Sequence, residues 1–428
     1  MSRPSDIART DDLVLTDLYQ EAKFAIFERL LEQLETKSIV GGAKSAAVRV
    51  EIEEAIHRHS ARAGMALNSV ERIRLADDLQ NEVAGLGPLE PLLRDASVDD
   101  VICNGPMRIF VEKGGRLHRA PARFRDTAHM MTIIQRIVGA VGRRVDESTP
   151  YVDARLQDGS RVNVVVPPIA LDGPMLSIRK VRAQPLTAGD MVRGGSLSQE
   201  MLDFLERAVR ARLNILISGG TGSGKTTLLN LLSSYIADHE RVITIEDAAE
   251  LKLQRDDVVR LETRPPNVDG TREVSARDLV RNALRMRPDR IVLGEVRGAE
   301  AVEMLQAMST GHDGSMATLH ANNDRDAFAR LEMLLSFGGL NSDPRALRRY
   351  VASSVQLVVQ IQRLFDGSRR ITSISEVTGV EGEVYSLNQL FLFDEAGGPN
   401  GGHRTLSRRP YFAQRLSRAE VVPAWGRP

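Results

Sequence analysis

Nine consecutive residues, Gly219 to Thr227, read GGTGSGKTT. Gly219 and Gly224 bracket four residues, and Lys225-Thr226 complete the pattern G-x-x-x-x-G-K-[ST]. The chemistry follows from the residue types. Glycines (Gly219, Gly220, Gly222, Gly224) let the backbone curl around Thr221 and Ser223 until successive N–H groups point at one anion. A helix start behind them adds partial positive charge. Lys225 supplies a mobile cation for outer phosphates, and the Thr226 hydroxyl can ligate Mg²⁺.

Three more clusters follow. TIEDAAEL (Thr244–Leu251) puts Glu246, Asp247 and Glu250 at the end of an apolar run. RIVLGEVRGAEA (Arg290–Ala301) has the form of a Walker B strand with Glu295 at its tip, but Gly294 stands where an aspartate is usual. A glycine side chain cannot direct Mg²⁺. Either Glu295 takes that task along with activating water, or Glu246 or Asp247 shares it. GHDGSMATLHANN (Gly311–Asn323) carries His312 and His320 on either side of a short apolar strand. A histidine at such a strand end can donate to a γ-phosphate. Taken singly, an acidic turn is as readily a solvated surface and a histidine as readily structural. Upstream, Arg155, Arg161 and Arg179 have the length and charge to reach a neighbour's triphosphate, or are ordinary surface arginines on hairpins.

These residues need elements to hold them. Leu213–Ile217 reads as a buried strand, and Lys225 opens an apolar-rich helix. Strand patterns at 241–246, 258–261, 291–295 and 315–319 alternate with helical ones, which argues for a mainly parallel sheet with helices on both faces. In such a sheet the carboxyl ends of the strands face the ligand crevice. Residues 1–84 read as a helical arm, with helices at 13–34, 46–62 and 69–83. Ser69 with Arg72 gives only an incomplete cap for the last. Residues 85–185 read as an α+β domain, 186–198 as a linker, 199–394 as the phosphate-loop motor domain, and 395–428 as a flexible tail with little core.

Composition narrows the class. Hydrophobic residues are 42% and charged residues 27% of 428, an ordinary globular balance. Zero formal net charge and 4% aromatic residues give no support to a nucleic-acid surface. The single cysteine, Cys103, excludes an intrachain disulfide or a multi-cysteine zinc site and reads as a small buried hydrophobe. No apolar run approaches the ~18–20 residues that span a bilayer, and the first residues lack a signal-peptide core. A cytosolic protein is expected, without a membrane span.

The order of GGTGSGKTT, TIEDAAEL, LRMRPDRIVLGEVRGAEA and TGHDGSMATLHANN resembles the traffic ATPases of type II and type IV secretion. GLGPLEPLL, YVDARLQDGSRVN, SIRK and EVTGVEGEVYSLNQLF are similar to the tight-adherence (CpaF-like) pilus ATPases in particular. The resemblance covers about residues 81–393. It implies a RecA-like motor behind an α+β N-terminal domain, a homohexamer, ATP and Mg²⁺, and docking on inner-membrane platform proteins from the cytoplasmic side. It also implies roles: Gly219–Thr227 as Walker A, Glu246, Asp247 and Glu250 as the acidic box, Glu295 as catalytic glutamate, and His312 and His320 as the histidine box. One or more of Arg155, Arg161 and Arg179 would approach the phosphates. The same motifs suit a DNA-transfer or pilus-retraction motor. A nucleotide-controlled scaffold with little turnover is the reading from another class.

Overall fold

The computed structural model describes residues 17–36, 46–63, 67–156, 158–181, 186–253, 255–264, 273–340, 342–394, 401–407 and 409–420. The chain divides into two compact units, Met1–Ala183 and Gln184–Pro428. No described helix is long and apolar enough to cross a membrane.

The first unit begins with helices Asp17–Thr36, Ala46–Ala63 and Ser69–Ala84, which share a core of Tyr19, Ile26, Leu30, Ile52, Ile56, Leu75 and Leu79. The expected start of the first helix, residues 13–16, lies outside the described residues. The third helix is capped by Asn68 rather than Ser69. Its side chain accepts the Glu71 N–H at 2.9 Å, and Glu71 returns the bond to the Asn68 N–H at 2.9 Å.

A six-stranded antiparallel sheet follows in the order β3-β2-β1-β6-β5-β4. Its strands are β1 (Asp100–Asn104), β2 (Ile109–Lys113), β3 (Arg116–Arg119), β4 (Tyr151–Arg155), β5 (Arg161–Val165) and β6 (Met175–Arg179). Alternation sends Val101, Cys103, Val152, Val162, Val164, Leu176 and Ile178 to one face, against Ile133, Ile134, Ile137 and Val138 of helix Thr127–Ala140. Burial pushes the Cys103 thiol up to about 12, as suits an inert core residue. The helical arm is tied to this domain by a buried polar triad. Lys23 Nζ and His129 Nε2 each lie 2.8 Å from a different oxygen of Glu82.

The second unit is built on a nine-stranded sheet, β15-β14-β13-β12-β7-β11-β10-β8-β9. Its strands are β7 (Ile215–Ser218), β8 (Val242–Glu246), β9 (Val258–Glu262), β10 (Arg290–Val296), β11 (Met316–Leu319), β12 (Leu357–Arg363), β13 (Arg369–Glu381), β14 (Val384–Phe393) and β15 (His403–Thr405). β7 to β12 pair in parallel, and β13 to β15 extend the sheet antiparallel. The two faces carry separate cores. One packs helices Gln199–Arg210 and Lys225–Ser233, the other helices Ala276–Ala283, Glu300–Ser309 and Asp324–Phe337. The expected α/β class with helices on both faces is the observed one.

Two expectations about connections differ from the structure. Residues 188–193 form a short helix, started by a Thr187–Asp190 capping box, within what reads as a linker. The stretch after residue 394 is not a coreless tail where it is described. β15 extends the sheet, Leu416 is buried with the helix 199–210 side, and Glu376 accepts the N–H groups of Tyr411 (2.6 Å) and Phe412 (3.1 Å). Leu416 and Phe412, four residues apart, pack on the same core, a short helical signature within an otherwise polar run. The rest of that tail (395–400, 408, 421–428) and the expected loop at 265–272 lie outside the described residues.

Candidate active site

β7 is buried at all four positions, and the chain leaves it at Ser218 into the glycine loop. Gly222 and Gly224 have φ +68° and +101°, a region that disfavours side chains. Gly219 is required for a different reason: a Cβ there would stand 2.3 Å from the Ile361 carbonyl oxygen. The Gly219 N–H donates to Leu319 O at 3.2 Å, which seats the loop against the end of β11. Lys225 Nζ lies 2.9 Å from the carbonyl oxygens of both Gly219 and Gly220. Burial is the main cause that lowers the Lys225 ammonium; Glu295 opposes it and Arg297 adds to it.

Parallel register brings the carboxylates to this same edge. Leu293 on β10 faces Ile245 on β8, so Gly294 and Glu246 lie side by side. A Cβ at Gly294 would come within 3.0 Å of Glu246 Cγ. The glycine thus leaves room for the Glu246 side chain over the position of the missing aspartate. Between Leu293 and Val296 the pairing with β11 slips by one residue, and this bulge re-aims Glu295. Glu246 Oε2 accepts the N–H groups of Glu250 (2.8 Å) and Leu251 (3.0 Å), pinning the acidic turn. Its Oε1 is buried with no hydrogen-bond partner among the described residues. Burial raises the Glu246 carboxyl above its usual range, against the pull of those two N–H groups.

Other buried polar atoms at this end of the sheet also lack partners among the described residues: Ser218 Oγ, Ser223 Oγ and Gln360 Oε1. Buried orphans of this kind mark a place for a polar ligand or water. No group of three or more His, Cys, Asp or Glu is arranged to hold a metal ion by itself among the described residues. Mg²⁺ at phosphate sites takes only one or two protein carboxylates, with the remaining ligands from a hydroxyl, water and phosphate oxygens. Thr226 and the orphaned Glu246 Oε1 suit that division, with Asp247 and Glu295 close by in the acidic rim.

The histidines separate. His320 follows Leu319 directly and so stands beside the loop. His312 precedes β11, at the opposite edge of the sheet, roughly 13 Å or more away along the strand. Its Nδ1 is buried without a partner among the described residues, and its carbonyl accepts Ser315 Oγ at 2.8 Å. The structure therefore does not bring His312 to the phosphate loop. Flanking a strand places two residues at opposite ends of it, a consequence that motif order hides.

In the first unit Arg155 faces Arg161 across β4 and β5, and Arg161 faces Arg179 across β5 and β6. The three stand in one row across adjacent strands, continued by Asp100 on β1, whose Oδ1 is 3.2 Å from Arg179 Nε. Like charges directly opposite each other destabilise a sheet.

Two residues near the loop escaped the sequence reading. Arg297, two positions after Glu295 and so on the same side of an extended chain, pairs with Glu295 at 2.5 Å and with Asp247 at 3.1 Å. That spacing was a usable signal. Arg369 donates from Nε to Gly222 O at 2.9 Å, from a residue 147 positions away, and nothing local announces it.

Comparison with known proteins identifies the family. The family described as "Type II/IV secretion system protein" matches residues 82–409. A putative conjugal transfer protein of Mycobacterium tuberculosis is 40% identical over 72% of this chain and 89% of its own. A probable conjugal transfer protein of Sinorhizobium fredii is 33% identical over 71% of this chain and 90% of its own. The crystal structure of the VirB11 ATPase from the Brucella suis type IV secretion system, in complex with sulphate, covers 68% of this chain and 92% of its own at 29% identity, with a TM-score of 0.38. With three quarters of its length matched, and its Walker A loop at the carboxyl edge of a RecA-like sheet, the chain belongs to the type II/IV secretion family of traffic ATPases.

Proposed function

We propose that the chain is an ATPase that works as a homohexamer in the cytoplasm, docked on inner-membrane platform proteins. It would hydrolyse ATP to drive assembly of a tight-adherence type IV pilus or a related secretion process. One observation carries the reading: the phosphate loop, Glu246, Glu295 and His320 converge on one edge of the parallel sheet. Gly219–Thr227 hold the triphosphate, with Lys225 exchanging its carbonyl contacts for phosphate oxygens. Thr226, Glu246, Asp247 and Glu295 are the residues that would hold Mg²⁺, which when bound offsets charge on the outer phosphates. Glu295 orients or activates the attacking water. His320 senses the γ-phosphate, and one or more of Arg155, Arg161 and Arg179 offsets developing charge. Residues 85–185 act as the N-terminal domain whose movement relative to the motor, 199–394, transmits the work.

Phosphate release from the full chain with MgATP tests this. Lys225→Ala is expected to lose nucleotide binding or turnover, since a charge-assisted phosphate contact contributes about 1.5–3 kcal/mol. Glu295→Gln is expected to keep binding and lose roughly 100-fold or more in rate, the range of an acid–base residue. Unchanged turnover in Glu295→Gln would overturn its catalytic role. A finger in trans predicts activity that rises with protein concentration and vanishes in at least one of the Arg155, Arg161 and Arg179 alanine variants.

A second reading, a DNA-transfer motor, is favoured by the conjugal transfer names of the relatives. Deleting the gene in its source cell and scoring piliation against plasmid transfer separates the two.

A further inference from the structure

Arg297 is half exposed, at 57%, and reaches two carboxylates from adjacent strands. Its Nε and Nη2 both meet Glu295 Oε2, at 2.7 and 2.5 Å, and its Nη1 lies 3.1 Å from Asp247 Oδ2. The ends of β10 and β8 are thereby clamped by one planar group. Its backbone is fixed as well: the N–H groups of Arg297 and Gly298 donate to Glu300 Oε1, at 2.6 and 2.7 Å, and Glu300 is buried. Asp247 is steadied from β9's side, with Thr263 Oγ1 donating to its Oδ1 at 3.3 Å. An exposed ion pair adds little to stability, typically about 0–1 kcal/mol. Its geometric content is larger, because two N–H groups of one rigid guanidinium converge on Glu295 Oε2 and fix that oxygen more closely than a point charge does.

We propose that Arg297 is a positioning residue for Glu295, locking the carboxylate that the bulge turns toward the phosphate loop and tying it to the acidic turn at Asp247. This rests on the catalytic assignment of Glu295 above. Free rotation of an unclamped glutamate would spread its oxygens over several rotamers. Misplacing a catalytic group by about 1 Å can lower a rate by as much as 100-fold. Arg297 thus acts on the rate of the chemical step and not on nucleotide capture, which the loop performs. The acidic turn shares in this through Asp247, so that a shift of residues 247–251 reaches Glu295.

Steady-state ATP turnover by the full-length chain tests the proposal in four variants: Arg297→Gln, Arg297→Lys, Glu295→Gln and the Arg297→Gln/Glu295→Gln double. The expected result is a kcat roughly 10- to 100-fold lower in Arg297→Gln, with KM for ATP within about twofold. Arg297→Lys should recover part of the loss, as one charge without the fork. In the Glu295→Gln background, Arg297→Gln should cause no further loss, because the arginine acts through that carboxylate. Turnover in Arg297→Gln within twofold of wild type, or faster, overturns the proposal. So does an additional loss in the Glu295→Gln background, which would mean that Arg297 works by a route of its own. Full turnover in Glu295→Gln itself would bring down the catalytic assignment as well, whereas failure at Arg297 alone leaves that assignment standing.

Discussion

Two glutamates six residues apart stand at opposite ends of one strand and are both 4% exposed. Glu240, just before β8, has both oxygens bound. Arg290 reaches them from Nη2 and Nε at 2.8 and 2.7 Å, and Arg212 adds bonds at 2.9 and 2.6 Å. Arg290 is itself fully buried. Glu246, at the end of β8, has two backbone N–H partners on one oxygen and none on the other. Burial pushes both carboxyls up. At Glu240 the two arginines outweigh it and hold the group at about 2, whereas at Glu246 burial prevails and the group stays raised. A buried charge is tolerated when it is paired, and an under-paired one points to a task other than stability.

The contrast extends to the neighbours. At the Glu240 edge, Asn214 uses all its hydrogen-bonding groups: Nδ2 to Met308 O and Ser354 O, Oδ1 from the N–H groups of Gly314 and Ser315. At the Glu246 edge, the Ser218 and Ser223 hydroxyls lack partners among the described residues. The division is not complete, since His312 Nδ1 and two Arg255 nitrogens are orphaned away from the phosphate loop. The teaching is that the two edges of one sheet do different work. One is satisfied within the protein and holds the fold, and the other keeps polar capacity for a ligand.

The largest expected effect falls on the structural end. Glu240→Gln leaves Arg290 buried beside a neutral group, and breaking such a pair costs about 3–5 kcal/mol. Denaturant unfolding checks this. A loss under about 1 kcal/mol would show the two glutamates to be less different than their partners suggest.

Acid titration sharpens the comparison. The folded Glu240 carboxyl, at about 2, lies below its ordinary unfolded value. Its stabilisation is therefore fully present above the unfolded value, ~4.3, and is lost as pH falls through that window toward the folded pKa. The difference amounts to something on the order of 3 kcal/mol. The stability–pH curve of wild type, minus that of Glu240→Gln, should shrink over this interval. An unchanging difference would remove Glu240 as the cause.

The smallest effect on stability is expected at Glu246. Glu246→Gln should stay within about 1 kcal/mol of wild type. The sign at Glu246 is reversed: its folded carboxyl holds its proton more tightly, so wild type loses stability as pH rises above the unfolded value, and the glutamine variant does not. The same variant should need more Mg²⁺ for half-maximal ATP turnover. A destabilised Glu246→Gln with unchanged Mg²⁺ dependence would invert the comparison.

Much of the site was legible because its parts are local. The phosphate loop is a strand, a turn and a helix start in one continuous run, and each residue type answers to a single anion. The strands that bear Glu246 and Glu295 announce themselves as apolar runs ending in acid. The Asn68 cap is equally local, an Asn-x-x-Glu signature one residue before Ser69. What could not be read depends on residues far apart in sequence. Gly294 looked like a missing ligand until the pairing of β8 with β10 put Glu246 over it. His312 and His320 looked equivalent until strand direction put them at opposite edges. Glu376 gave no sign of its part in docking the last described segment.

The sequence by itself determined that this chain carries a phosphate-loop pattern, which strands and helices surround the loop, and which acids end those strands. Those features rest on short-range backbone geometry and hydrophobic period, which a few neighbouring residues specify. Only the tertiary structure decided which acids stand together, which histidine stays with the loop, and that Arg297 clamps Glu295 to Asp247. Parallel strand order and a one-residue bulge set those meetings. Neither is fixed until distant segments pair and choose their register.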